Sequence, residues 1–261
     1  MGGPAADNLV LVDISDFLST YVFDWGFALC AGVAVLAAIV RAFTGFGANV
    51  VWGPVLMLYY GPVEMVAIMA IAAVATSFQV ALPSAKQADW RTIGIMFAAM
   101  LVATPFGVLT LLQVDPHIFK KAFGIFILVG AAVLASGWVY RGTHSKFATA
   151  ATGALSGWTA GFAGVGGPIL VIYFLAAPGD LRQKHANNSI SVTLLAPITL
   201  AGLLWQGAVD SDAWIRGLLF LPAVYIGQWI GLRLFKVAPI ELFRKVSLAL
   251  MMIIGVAVLV G

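Results

Sequence analysis

The sequence predicts an all-α polytopic membrane protein built of two inverted repeats, each a broken-helix hairpin followed by three transmembrane helices. Three observations carry that expectation. Of the 261 residues, 62% are hydrophobic and 10% are charged, against about 45–50% and about 25% in a soluble domain. The apolar runs are long enough to be membrane spans. Two glycine clusters, Gly45-Phe46-Gly47-Ala48-Asn49 and Gly164-Val165-Gly166-Gly167-Pro168, interrupt such runs at matching places in the two halves. Each glycine weakens a helix by about 1 kcal/mol relative to alanine. At membrane depth, a broken helix is tolerated only where it faces protein or a water-filled cavity.

Residues 1–24 form an N-terminal interfacial segment. The segment opens with Asp7, Asp13 and Asp16 rather than the basic residues of a secretory signal. Ile14, Phe17, Leu18, Tyr21, Val22 and Trp25 recur at helical spacing, as in a helix lying at the interface. The first repeat covers 25–140. Its broken unit has a leg at 25–44, about 30 Å long, and a leg at 48–60, about 20 Å long. The shorter leg falls well short of the roughly 30 Å hydrocarbon layer. Full spans follow at 63–83, 92–112 and 118–140. The second repeat covers 141–261. Its broken unit is at 148–177, with full spans at 187–207, 213–234 and 241–260.

The halves echo each other in order. Gly45-Phe46-Gly47 pairs with Gly164-Val165-Gly166, Trp90 with Trp214, Gly107 with Gly231, and Pro116 with Pro239. Charge sets the orientation. If each broken unit enters and leaves on one side, most Lys and Arg residues fall on one face, which is then cytoplasmic. Both termini are expected outside. One hairpin plus three spans is an odd number of crossings, so the second half is inverted. Many secondary transporters follow that plan, with the site at the repeat interface near the midplane.

Composition also excludes classes. The net charge of +3 comes without a basic cluster, so no nucleic-acid partner is expected. The single cysteine, Cys30, cannot form an internal disulfide and is expected to be a small buried side chain. His117, His144 and His185 lie far apart, and no metal-ligand spacing exists. No nucleophile–base pair and no Walker motif is present, so neither an intramembrane enzyme nor ATP hydrolysis is expected. Neither metal nor cofactor is implied. The expected partners are membrane lipid and a small anion, and a homodimer stays open.

The breaks carry the chemistry. Pro168 suits the first turn of a returning helix, where its missing N–H costs nothing. Gly164, Gly166 and Gly167 let the backbone turn and approach a ligand, with Val165 among them. Unpaired N–H groups at a helix start favour an anion. Gly45, Phe46, Gly47 and Asn49 do the same in the first half, and Asn49 can cap or donate its amide. Arg41 lies one turn before the first tip. A cation at that depth is a site candidate and can pair bidentately with a sulfonate, carboxylate or phosphate. Snorkelling to an interface, or a backbone partner, is the alternative. Thr44, Thr76, Ser77 and Gln79 offer polar groups in the first half. Asn187, Asn188, Ser189, Ser191 and Thr193 offer them in the second, with Asn187 and Ser191 one turn apart on one helix face. Close helix packing at small residues is the competing reading of the glycines.

Gly45-x-Gly47-x-Asn49 with Pro54, and Gly157-x-x-x-Gly161-x-x-Gly164-x-Gly166-Gly167-Pro168, resemble the two signatures of the sulfite exporter TauE/SafE family. Ala48 and Asn49 stand where that family usually has glycines. The resemblance implies transport of sulfur-containing or carboxylate anions, often outward, across the inner (cytoplasmic) membrane. The expected function is therefore a secondary transporter that exports organosulfonates or sulfite by alternating access. A passive anion channel, or an importer of a carboxylate or sulfonate, is the alternative.

Overall fold

The computed structural model describes residues 25–44, 47–136, 145–176 and 180–234, with isolated positions 249, 252, 255 and 256. The expected interfacial helix and most of the last span, 241–260, lie outside the described residues. Those described are helical throughout, with short turns between helices. They form α1 (Trp25–Thr44), α2 (Ala48–Ser84), α3 (Trp90–Gln113), α4 (Pro116–Ala135), α5 (Lys146–Ala163), α6 (Gly167–Ala176), α7 (Leu181–Trp205), α8 (Ser211–Leu219) and α9 (Leu221–Leu234). Six stretches, in α1, α2, α3, α4, α7 and the α8–α9 pair taken together, are long and apolar enough to cross a membrane. Large apolar side chains such as Leu101, Val102, Phe106, Ile125, Val129 and Trp229 point outward, as a lipid-facing surface requires.

Local sequence explains where helices start and stop. Asp89, Ser145, Asp180 and Asp210 each accept a backbone N–H two or three residues on, which satisfies otherwise unpaired amides of the first turn. The Thr92 hydroxyl, helped by the Thr92 and Arg91 amides, holds the Asp89 carboxyl below its usual range. The Ala48–Ser84 helix is not continuous: Gly61 has φ 80° and ψ 172°, a conformation open to glycine. Pro62 then suits the start of the next helix. The expected boundary between the short leg 48–60 and the span 63–83 therefore falls on a real break. The expected span 213–234 is two helices, α8 and α9, meeting at Phe220 just before Pro222. The helix expected at 187 begins six residues earlier, because Asp180 caps it.

The two halves are interleaved. On α5, Gly153, Gly157 and Gly161 bring the backbone against Met96, Met100 and Thr104 of α3 in step. The two helices therefore run parallel. Gly227 and Gly231 of α9 meet Val35 and Ile39 of α1 in the same way. Thus the opening leg of each half packs on the second span of the other half, through small residues that let membrane helices approach closely.

Helix directions follow from such contacts. Arg216 pairs with Glu64, and the Tyr225 hydroxyl donates to the Ala75 carbonyl at 2.8 Å, so α8–α9 runs parallel to the second part of α2. The second part of α2 turns back into α3 through a 3-10 turn at Ala85–Gln87. With α1 parallel to α9 and α5 parallel to α3, α1 and α5 run in opposite directions.

Polar ties join the halves at both ends of the second part of α2. At one end, Arg216 pairs with Glu64, lies 3.6 Å from Asp212, and sits 4.7 Å over the Tyr60 ring. At the other, the Asp89 N–H donates to Asn187 Oδ1 at 2.7 Å. The Arg216 and Glu64 side chains are 20% and 18% exposed, so the pair is worth more than a surface ion pair. Arg216→Met should lower stability by about 1–3 kcal/mol, because Glu64 stays largely buried without its partner. Adding Glu64→Gln should recover part of that loss in a thermal-unfolding series. Equal loss in the single and double variants would contradict the pairing.

Candidate functional site

The two glycine-rich breaks are in direct contact. At the first, Gly47 has φ 89°, and its carbonyl accepts from the Val50 and Val51 amides at 3.1 and 3.3 Å. At the second, Gly164 adopts a left-handed conformation (φ 71°, ψ 9°) that ends α5, its own amide bonding to the Ala160 carbonyl. The Gly164 carbonyl is then taken by the Asn49 side-chain amide at 2.7 Å. One hydrogen bond thus spans residues 115 apart and ties the start of α2 to the end of α5. Ser156, one residue before Gly157 on α5, donates to the Gly166 carbonyl at 2.7 Å and fixes the second turn from behind.

A cavity of about 70 Å³ lies between the breaks. Arg41, Gly47 and Asn49 border it from the first half, and Gly164 through Pro168 from the second. α2 closes one side with Val66, Ala70, Ala73 and Ser77, and α7 closes another with Val192, Leu195, Ala196 and Thr199. The Arg41 guanidinium donates to Thr76 Oγ1 at 3.2 Å, while the buried Thr76 hydroxyl bonds back to the Ala72 carbonyl at 2.9 Å. No carboxylate pairs with Arg41 among the described residues. A guanidinium has five donors and stays protonated, and among the described residues only Thr76 Oγ1 takes one of them.

Of the residues expected at the site, Arg41, Gly47, Asn49, Gly164, Val165, Gly166 and Gly167 all border this cavity. Gly45 and Phe46 lie outside the described residues, as do the side chains of Thr44 and Gln79. Asn187 is placed elsewhere: it is buried and accepts from the Asp89 amide. Ser191 is buried and does not border the cavity. The reason is helical phase. The cavity face of α7 runs through Val192, Leu195, Ala196 and Thr199, at spacings of three and four, and Asn187 falls on the opposite side. The apolar wall residues of α2 and α7 were not expected at the site, and two polar residues were missed. Thr199 borders the cavity, and Ser156 holds the second turn. A serine set between Gly153 and Gly157 was the available signal, but its partner could not be read from spacing.

Gly166 illustrates how packing and site overlap. A Cβ there would sit 2.5 Å from the Ser156 carbonyl oxygen, so Gly166→Leu should disturb the turn itself as well as fill the cavity. Ser156→Ala is the milder probe. It leaves the buried Gly166 carbonyl without its donor and should cost about 1–3 kcal/mol. It should also weaken anion binding by loosening the second break. A thermal melt and a calorimetric titration on the same sample check both; unchanged values in each would remove Ser156 from the site's support.

Fold and site together define a multi-pass membrane protein with a small cationic cavity where two interrupted segments touch. The chain belongs to the sulfite exporter TauE/SafE family, whose model matches residues 30–258. It is 25% identical over 224 residues to the "Probable sulfite/organosulfonate exporter TauE" of Cupriavidus necator, covering 83% of this chain and 87% of that protein. It is likewise 25% identical over 184 residues to the "Probable inner membrane transporter protein TsaS" of Comamonas testosteroni, covering 66% and 73%. No solved structure matches it significantly. Membership makes the chain a membrane transporter of the anion-carrying kind and not an enzyme.

Proposed function

We propose that this chain is a secondary transporter that exports small anions, sulfite or an organosulfonate, across the cytoplasmic membrane by alternating access. The observation that carries the reading is the Asn49–Gly164 hydrogen bond beside Arg41. It brings two broken helices and one partly buried cation to a single place, which is what a centrally held anion needs. The two halves act as inverted repeats whose hairpins dip in from opposite faces, with both termini outside. The opposed directions of α1 and α5 support that arrangement, as does the exchange of packing partners between halves. Arg41, the two breaks and the apolar walls hold the anion while the halves rock about it.

Flux into liposomes tests the mechanism. Labelled sulfite or methanesulfonate uptake should saturate, and it should accelerate when the same anion is trapped on the far side. Uptake that rises linearly with concentration and ignores trans substrate would instead mark a channel.

A further inference from the structure

We infer that the cavity selects a compact oxyanion carrying a single negative charge and no ammonium group, such as a short alkanesulfonate, a short carboxylate or hydrogen sulfite. This deepens the anion-transporter reading and rests on it. The first support is a charge count. Arg41 is the one ionisable side chain bordering the cavity among the described residues. The stretches 43–46 and 78–83, whose side chains are not described, contain no ionisable residue either.

Helix dipoles do not raise the count. Each break sets the negative end of one helix, α1 or α5, beside the positive end of the next, α2 or α6, so the partial charges largely offset. At the first break, the Val50 and Val51 amides already bond to Gly47. At the second, Pro168 has no amide proton to offer. Among the described residues, the one full charge bordering the site is the Arg41 guanidinium. A second negative charge would be desolvated without a partner, which is strongly unfavourable away from water.

The same count disfavours zwitterions. Among the described residues no Asp or Glu borders the cavity, so an ammonium group beside the anionic head would be left unpaired. The walls instead offer Val50, Val66, Ala70, Val165 and Leu195, which suit a short apolar tail. At about 70 Å³ the space is far below the roughly 300–1,000 Å³ that takes drug-sized ligands. Sulfite then becomes a special case, because it titrates between monoanion and dianion near neutrality. No side chain that titrates near neutrality borders the cavity among the described residues, so a pH dependence confined to sulfite belongs to the ligand.

The test is a calorimetric titration of the purified full-length protein, at constant ionic strength, with methanesulfonate, sulfoacetate, taurine and sulfite, alongside Arg41→Ala. Methanesulfonate should bind at least about tenfold more tightly than sulfoacetate or taurine. Sulfite should bind about fivefold or more tightly at pH 6 than at pH 8, while methanesulfonate changes less than about twofold. Sulfoacetate or taurine binding as tightly as methanesulfonate, in an Arg41-dependent way, would overturn the charge rule and leave the anion site standing. Sulfite binding more tightly at pH 8 would do the same. Absence of binding by every anion would overturn both.

Discussion

Arg41→Ala is expected to weaken anion binding by about 30-fold to more than 1,000-fold while leaving the protein folded. The range corresponds to the roughly 2–5 kcal/mol lost when one partner of a desolvated, hydrogen-bonded charge pair is truncated. Folding should survive because, among the described residues, the one side-chain hydrogen bond Arg41 makes is to Thr76, a residue that also bonds to the Ala72 carbonyl. Removing an uncompensated cation from the membrane interior can even raise the melting temperature. Arg41→Lys should fall between, since it keeps the charge but loses the planar fork that grips an oxyanion with two bonds. Titration calorimetry and a thermal melt on each variant decide the matter; wild-type affinity in Arg41→Ala would remove this residue from the site.

Gly107→Leu should have the largest effect on the fold, with little or no monodisperse protein recovered. A Cβ at Gly107 would lie 2.1 Å from the Trp158 carbonyl oxygen, and one at Gly161 would lie 2.3 Å from the Thr104 carbonyl oxygen. Backbone cannot give way as a flexible side chain can. The α3–α5 interface would have to separate along its length, at a cost of several kcal/mol. Gly94→Ala on the same helix is the control. Nothing lies within 4 Å of a Cβ there, so the expected change is neutral or a gain of up to about 1 kcal/mol from helix propensity. Equal yields and melting temperatures for Gly107→Leu and Gly94→Ala would contradict the α3–α5 packing.

Much of the chain's plan was legible because glycine and proline punctuate it. The short leg was expected to end at residue 60, and the structure breaks the helix at the next residue, Gly61, with a positive φ. The two glycine clusters marked the turns that border the cavity. Cys30 is fully buried as expected, its carbonyl accepting from the Trp52 indole at 3.0 Å. What spacing could not supply was which helix face turns inward. Asn187 and Ser191 do share a face, but the cavity takes the face of Val192 and Thr199. The polar start of α7 also hid its true beginning, because Arg182 to Asn188 looks like loop until Asp180 is seen to cap it. Partners far apart in sequence were out of reach altogether. Neither Asn49 with Gly164 nor Ser156 with Gly166 leaves a periodic trace, since each bond depends on how the backbone turns at a break.

Side-specific thiol labelling tests the central arrangement most directly. In a Cys30→Ala background, single cysteines replace Trp25, Tyr59, Phe147 and Arg182, all exposed positions that flank the two broken units. With a membrane-impermeant reagent, the cysteines at 25 and 59 should react from outside, and those at 147 and 182 only once the inner face is opened. Reaction of 25 and 59 from different sides, or of 147 and 182 from different sides, would mean that the interrupted segments cross the bilayer and do not return.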